Sequence, residues 1–249
     1  AFGAVITPSL ESEVFVVNLA ETRISSVGLG WYPTWIPGSN ELVMVNSGEL
    51  NKMDQDGTLV ASLATRQDWS WGNPIIDPAS SEVIIAGMDN DDMSMRGQGP
   101  YDFWQVPLDG HSQIAKSEHG QGLWGRVPTN ALISPDGAWL LYTSQDPYGC
   151  CAVIMQQVIL SLQSGRSVRY EPDPEAVPTE LAEAMVVHNG WHVGWLPDSE
   201  HFLVQRLFSY GELGMPLQDN VTECRLDIVD LSGNVTESIP ICTNTATVN

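Results

Sequence analysis

The chain has 249 residues, of which 43% are hydrophobic and 16% are charged. It carries 31 acidic against 10 basic residues, a formal net charge of −21. This balance excludes nucleic-acid binding, which depends on neutralising phosphates with Lys and Arg, and it disfavours docking on anionic lipid. No run approaches the ~20 apolar residues of a membrane helix, so we expect no transmembrane segment. The composition indicates an acidic globular protein.

The first predicted element is a hairpin over residues 4–27, in which the alternating run Val14–Val17 is followed by a tight turn. Two series of turns follow it, and each turn lies next to a short β-rich run. The Pro-led series is Trp35–Ser39, Asp77–Ser80, Ser134–Gly137 and Trp195–Ser199. A second turn lies downstream of each Pro-led turn, and these second turns are Met53–Gly57, Pro107–Gly110, Gln163–Gly165 and Leu231–Gly233.

Pro presets φ at the first central position of a turn, and Gly supplies the positive φ that closes a hairpin. Two hairpins in every ~40–60 residues predict a series of four-stranded sheets. A single hairpin cannot bury its apolar face, so neighbouring units must stack. The predicted units are residues 31–65, 69–118, 124–170 and 186–242. Helical periodicity is confined to Pro178–Met185, in a predicted loop insertion.

The turn Ser134–Gly137, with the apolar strand Trp139–Tyr142 after it, resembles the TolB-type (WD-repeat-like) β-propeller repeat. Met53–Gly57 and Trp195–Ser199 resemble the same repeat, whereas the other two Pro-led turns lack its Asp. The resemblance implies an all-β fold, a β-propeller of four-stranded antiparallel blades, as a single domain over residues 1–249. A closing tail over residues 243–249 favours five blades, with six blades or an open fragment of a larger ring as alternatives.

Four tryptophans are candidate ligand-binding residues, and several of them lie just upstream of the Pro-led turns: Trp31, Trp71, Trp124 and Trp191. In a propeller this position lies at one mouth of the central channel, where indole rings stack on sugars or hold a partner's side chains. Packing between blades is the alternative, and it is favoured for Trp35 and Trp195.

His188 and His192 are two further candidate ligand-binding residues. Residues i and i+4 of a strand lie about 13 Å apart, too far for one metal ion. The two rings would meet only if Asn189-Gly190 folds the segment back on itself. The sequence offers no third converging ligand, so we disfavour a metal between them.

Asp89, Asp91 and Asp92 resemble part of a calcium-binding loop, because hard cations bind clustered carboxylates. A solvated acidic loop is the alternative and the favoured interpretation. We predict no other cofactor. The run opens the first of three long predicted loops, which cover residues 89–100, 171–187 and 209–220.

Cys224 and Cys242 flank a turn centred on Gly233, which predicts that they face each other and form a disulfide. Buried free thiols are the alternative. The adjacent Cys150 and Cys151 either pack or form a vicinal bridge, with metal binding disfavoured. A Cys224–Cys242 bridge implies an oxidising compartment, either the periplasm or the outside of the cell.

The chain lacks the nucleophile-elbow, phosphate-loop, zinc-protease and haem-attachment motifs. We therefore favour a non-enzymatic, periplasmic or secreted propeller that binds a protein partner through its long loops. The acidic surface predicts that this partner is basic. The alternative is a carbohydrate-binding or lyase-like propeller that holds an oligosaccharide at a Trp-lined channel mouth.

Overall fold

The structure is a computed structural model in which the chain forms two compact units, residues 1–131 and 132–249. It contains β-strands and one short 3-10 helix, Asn90–Asp92, and no α-helix among the residues it describes. It describes residues 12–77, 80, 82–92, 99–109, 115–116, 124–125, 128, 130–146, 154–170, 185–211 and 222–244.

The first unit opens with a hairpin followed by a four-stranded antiparallel sheet, which we call the first sheet. The side chain of Asn18 closes the hairpin by accepting hydrogen bonds from the backbone N–H groups of Ala20 and Glu21. The hairpin strands are β1 (Glu13–Asn18) and β2 (Arg23–Leu29). The first sheet contains, in spatial order, β3 (Trp31–Trp35), β4 (Glu41–Asn46), β5 (Glu49–Asp54) and β6 (Leu59–Thr65).

The second sheet completes the first unit, and its first strand is interrupted. Both halves of that strand pair with β9, and the break contains Pro74, which has no N–H to donate. The sheet contains β7 (Trp69–Trp71), β8 (Ile75–Asp77), β9 (Glu82–Asp89), β11 (Asp102–Pro107) and β12 (Ala115–Lys116). The short strands β10 (Gly99–Pro100) and β13 (Trp124–Gly125) pair separately.

The second unit consists of two more four-stranded antiparallel sheets, each with its strands in chain order. The third sheet contains β14 (Leu132–Ile133), β15 (Trp139–Asp146), β16 (Ile154–Ser161) and β17 (Ser167–Tyr170). The fourth contains β18 (Met185–Trp195), β19 (His201–Gly211), β20 (Thr222–Asp230) and β21 (Val235–Asn244). Strands β18 and β19 therefore extend into the loops predicted over residues 171–187 and 209–220, while residues 178–184 of the predicted helical segment lie outside the described residues.

The Pro-led turns before β4, β15 and β19 form as the sequence predicts. In the turn before β15, Gly137 adopts a φ of +75°, and the Asp136 carboxylate accepts hydrogen bonds from the Ser134 hydroxyl and the Ala138 N–H. Ser199 takes the corresponding position before β19 with a φ of +60°, which costs a non-glycine residue conformational energy. Its hydroxyl accepts a hydrogen bond from the Asp136 N–H, so the two Pro-led turns of the second unit are joined.

Both faces of the central strands are buried, which explains their unbroken apolar runs. In β4, Val43 and Val45 pack into a core shared with the second sheet, whereas Leu42 and Met44 pack with the hairpin. This division follows from the two-residue period of a strand. In the second unit, a core that includes Phe202 joins the third sheet to the fourth in the same way. Each sheet is thus stabilised by its neighbour, as the repeat predicts.

Candidate functional site

Two exposed aromatic residues lie at a β-bulge at the start of β3, in the segment Gly30–Tyr32, which we call the aromatic bulge. Trp31 pairs with Val45 but Thr34 pairs with Val43, so β3 contains one residue more than the strand facing it. The Trp31 side chain is 40% exposed and that of Tyr32 is 38% exposed. Tyr32 has a φ of +53°, an uncommon conformation for a bulky residue and one that marks local strain.

The backbone on both sides of the aromatic bulge is fixed. The Gly30 N–H donates a 2.8 Å hydrogen bond to the Ser12 carbonyl oxygen. A Cβ atom at Gly30 would lie 2.5 Å from the Met44 side chain and 2.8 Å from the Val45 carbonyl oxygen, so only glycine fits there. Beyond the bulge, the Thr34 hydroxyl donates a 2.8 Å hydrogen bond to the Pro74 carbonyl oxygen. The aromatic bulge is therefore held in one conformation by contacts to β4 and to the second sheet.

The polar groups of this segment are available to a ligand. Within the described part of the chain, neither Trp31 nor Tyr32 makes a side-chain hydrogen bond or stacks on another ring. Glu13 pairs with Leu29 across the hairpin, and its carboxylate accepts a 2.6 Å hydrogen bond from the Ser26 hydroxyl. No cationic side chain of the described residues pairs with Glu13. The two exposed rings therefore keep their N–H and O–H groups unused by the described residues.

Exposed apolar side chains are concentrated in the same part of the molecule. Twelve large hydrophobic residues of the described chain are exposed, and seven of them belong to the hairpin and the first sheet. The hairpin and the β5–β6 turn lie side by side, because Arg23 bonds to Asp56 at 3.2 Å and Gly57 lies against Val27. The seven are Leu19, Ile24, Leu29, Trp31, Tyr32, Leu59 and Val60.

Trp71 is a core residue, not the exposed ligand-binding residue that the sequence predicted. It is 6% exposed, and its indole N–H donates a 2.9 Å hydrogen bond to the Gly48 carbonyl oxygen of the first sheet. Its neighbour Trp69 packs edge-on against Trp104, and the Arg66 guanidinium lies 4.7 Å and 4.9 Å from the centroids of those two rings. The tryptophans of the second sheet therefore join it to the first.

His192 lies in a partly buried polar group of the second unit. Its Nδ1 lies 2.7 Å from Gln157 Oε1 and 3.3 Å from the Thr143 hydroxyl. Because Gln157 Oε1 only accepts hydrogen bonds, Nδ1 carries the proton. Asn189-Gly190 continues strand β18 and does not turn, so the fold-back that would have brought His188 and His192 together does not occur.

The remaining predicted site residues lie in or just after three strands, and their functional roles stay predictions. Trp124 lies in β13, while Trp191 and His188 lie in β18, and the side chains of all three lie outside the described part of the structure. Asp89 ends β9 and accepts a 3.0 Å hydrogen bond from the Asp91 N–H, as in an ordinary turn.

No group of three or more His, Cys, Asp or Glu residues among those described could hold a metal ion. The side chain of Asp92 is not among them, so calcium binding by Asp89, Asp91 and Asp92 stays a prediction.

Cys224 faces Cys242 across β20 and β21, as predicted. The strand register that gives this pairing differs from the one expected. The turn is centred on Ser232, which would place Cys224 opposite Pro240, and two bulges on β21 shift the pairing by two residues. The disulfide between them stays a prediction, and Cys150 and Cys151 lie outside the described residues.

A buried charged group in the second unit was missed from the sequence. Asp227 is fully buried and accepts hydrogen bonds from Arg206 at 3.2 Å, from the Tyr170 hydroxyl at 2.8 Å and from the Ser238 hydroxyl at 2.6 Å. Burial raises the pKa of Tyr170 well above its usual value, so its hydroxyl stays protonated and donates. The alternation of β19 could have predicted the burial of Arg206, because this residue lies on the same inward face of the strand as Phe202.

No protein-family model and no curated protein matches this chain. Solved structures do match. An oligogalacturonate lyase from Vibrio parahaemolyticus is 8% identical, with a TM-score of 0.52 over 94% of this chain and 72% of that one. A puromycin hydrolase is 15% identical, with a TM-score of 0.50 over 97% of this chain and 46% of that one. A putative TolB from Agrobacterium tumefaciens is 14% identical over 94% of this chain and 90% of that one, at a TM-score of 0.32.

The four-stranded antiparallel sheets and these likenesses give the class: the chain has an all-β fold, that of a β-propeller. This confirms the all-β propeller fold that the sequence predicted, while the count of five blades stays a prediction. Identities this low show the fold alone, and the TM-score to TolB is too low to assign that type. No helix within the described ranges is long and apolar enough to cross a membrane.

Proposed function

We propose that this β-propeller binds another protein and that the aromatic bulge is part of the contact surface. The observation that carries the proposal is the exposure of Trp31 and Tyr32 on a fixed backbone, with their N–H and O–H groups unused by the described residues. Trp and Tyr supply much of the binding energy at protein interfaces, because they bury a large apolar area and still form hydrogen bonds. The exposed apolar residues of the hairpin and the first sheet extend this surface.

The partner carries a basic surface. A net charge of −21 attracts positive charge and repels other acidic proteins, and the attraction weakens as salt is added. The turn residues that match the TolB-type repeat and the facing Cys224 and Cys242 support a TolB-like propeller that works outside the cytoplasm, in the periplasm or secreted. The predicted loops over residues 89–100, 171–187 and 209–220 are further candidate contact segments.

Affinity capture with the full chain tests this function. The wild type is expected to retain a specific protein from an extract of the native source, and to release it as the salt concentration rises. Trp31→Ala and Tyr32→Asn are expected to lose that protein, with Asn chosen because it tolerates a positive φ. Val193→Ala, which truncates a side chain that is 54% exposed in the fourth sheet, is the matched control and is expected to retain it. Equal capture by all four proteins, or no capture, would refute the proposal.

Oligosaccharide binding is the second candidate function, and the exposed ring of Trp31 favours it. Sugars stack on exposed indole faces, and the negative net charge points to a neutral saccharide. Tryptophan fluorescence titrated with neutral oligosaccharides tests it, with Trp31→Phe as the variant that keeps an aromatic ring. No spectral change with any saccharide would rule it out.

A further inference from the structure

We infer that the aromatic bulge and the interrupted strand of the second sheet bind an extended, proline-rich segment of the partner. This inference rests on the protein-binding function proposed above and names the kind of segment that the site recognises. It follows from two irregular features of the first unit, the bulge in β3 and the break between β7 and β8 at residues 72–74. Each feature leaves one side chain available to a ligand, Trp31 at the bulge and Asn73 at the break.

The strand register places Trp31 on the side of the first sheet that faces the second sheet. Trp31 pairs with Val45 and Thr34 pairs with Val43, and directly opposed residues of an antiparallel pair share a face. Both valines pack in the core that the first sheet shares with the second. Trp31 and Thr34 therefore face the second sheet, which still leaves the Trp31 side chain 40% exposed.

The break in the second sheet lies against Thr34. The Thr34 hydroxyl donates to the Pro74 carbonyl oxygen at 2.8 Å and lies 3.5 Å from Asn73 Oδ1. The residues that pair with Trp31 and Thr34 are two positions apart on β4, which corresponds to about 7 Å along the strand. A segment of about four residues in the polyproline conformation, which rises about 3.1 Å per residue, spans from the indole ring to the amide.

The polar groups that this site offers to a ligand are mainly hydrogen-bond donors. The indole of Trp31 is a donor only, and the phenol of Tyr32 can donate or accept. The side-chain oxygen of Asn73 lies toward Thr34, while its amide N–H₂ group has no acceptor among the described residues. Trp31 and Asn73 carry no charge. A complementary ligand therefore supplies acceptors and apolar surface but few donors.

A proline-rich segment has this composition. Proline lacks the backbone N–H but keeps the carbonyl oxygen, and proline-rich segments dock in grooves that are lined by aromatic side chains. The polyproline conformation is largely formed before binding, so little ordering cost remains. At the aromatic bulge the ladder between β3 and β4 is interrupted, so the strand does not present the regular hydrogen-bonding row that an added strand needs.

Fluorescence anisotropy with a labelled peptide tests the inference. The probe is a peptide of prolines with an uncharged dye at its N-terminus and an amide at its C-terminus, compared with a Gly/Ser peptide of the same length and label. The wild type is expected to bind the proline peptide and not the Gly/Ser peptide. Because the probe is uncharged, its affinity should be the same at low and high salt, which separates this site from the general acidic field of the protein.

Two variants and a matched control locate the binding. Trp31→Ala removes the exposed ring and should weaken binding about fivefold or more. Asn73→Asp keeps the oxygen that lies toward Thr34 but removes the amide donors, so it should weaken binding about threefold or more. Asn18→Asp makes the same change in the hairpin turn, where the side-chain oxygen accepts two backbone hydrogen bonds, and it should leave the affinity unchanged.

Three results would overturn the inference. They are no binding of the proline peptide to the wild type, equal binding of the proline and Gly/Ser peptides, and equal weakening by Asn73→Asp and Asn18→Asp.

The two proposals fail in different ways. If affinity capture depends on Trp31 but the proline peptide does not bind, the protein-binding function stands and the proline-rich site is wrong. If the proline peptide binds through Trp31 and Asn73 but no protein is captured, the site stands and the protein-binding function is wrong.

Discussion

Replacing the buried carboxylate of Asp227 should strongly destabilise the second unit. Asp227 is 0% exposed and Arg206 is 4% exposed, so Asp227→Ala leaves a positive charge buried without its partner. Breaking a buried ion pair in this way costs about 3–5 kcal/mol of unfolding free energy. Tyr170→Phe removes one hydrogen bond to the charged group and should cost about 1.5–3 kcal/mol.

Urea unfolding followed by far-UV circular dichroism measures these changes. The matched control is the exposed ion pair of Arg23 and Asp56, whose side chains are 56% and 60% exposed, so that Arg23→Ala should cost less than about 1 kcal/mol. The double variant Arg206→Met, Asp227→Leu should be much more stable than Asp227→Ala, because it leaves no unpaired buried charge. A cost for Asp227→Ala no larger than that for Arg23→Ala would refute the reasoning.

Three further predictions concern two turns and the facing cysteines. Backbone N–H groups, first that of Thr58, hold the pKa of Asp54 below its usual 3.8; the stability this gives is present above pH 3.8 and lost as the pH falls through the lower folded-state pKa. In thermal unfolding, the difference between Asp54→Asn and the wild type should therefore be full at pH 7 and shrink as the pH is lowered below 3.8, and a constant difference would contradict this. Gly48→Ala should lower the melting temperature, because Gly48 has a φ of +83° and its Cβ would lie 2.3 Å from the Arg66 carbonyl oxygen; an unchanged value would show that the turn adapts. Mass spectrometry of an unreduced digest should find a Cys224–Cys242 peptide pair, and free thiols at both positions would refute the bridge.

The sequence by itself determined the strands and the turns that join them. Pro and Gly determine φ angles locally, and the two-residue period of a strand shows which residues of an apolar run share a face. For this reason the turn at Ser134–Gly137 and the buried run of β4 were predictable. The repeat then indicated that each sheet must be covered by another.

Only the tertiary structure decided which side chains those neighbours cover. Trp31 and Trp71 look alike in the sequence, yet Trp71 packs in the core shared by the first and second sheets, where Gly48, 23 residues away, accepts its indole hydrogen bond. The described residues leave Trp31 exposed. Asp227 depends on Tyr170, which is 57 residues away on another sheet. Bulges insert single residues that no local pattern predicts, and two of these bulges determine the pairing of Cys224 with Cys242. Burial depends on contacts with residues that are distant in the chain, and a local sequence pattern contains no information about those contacts.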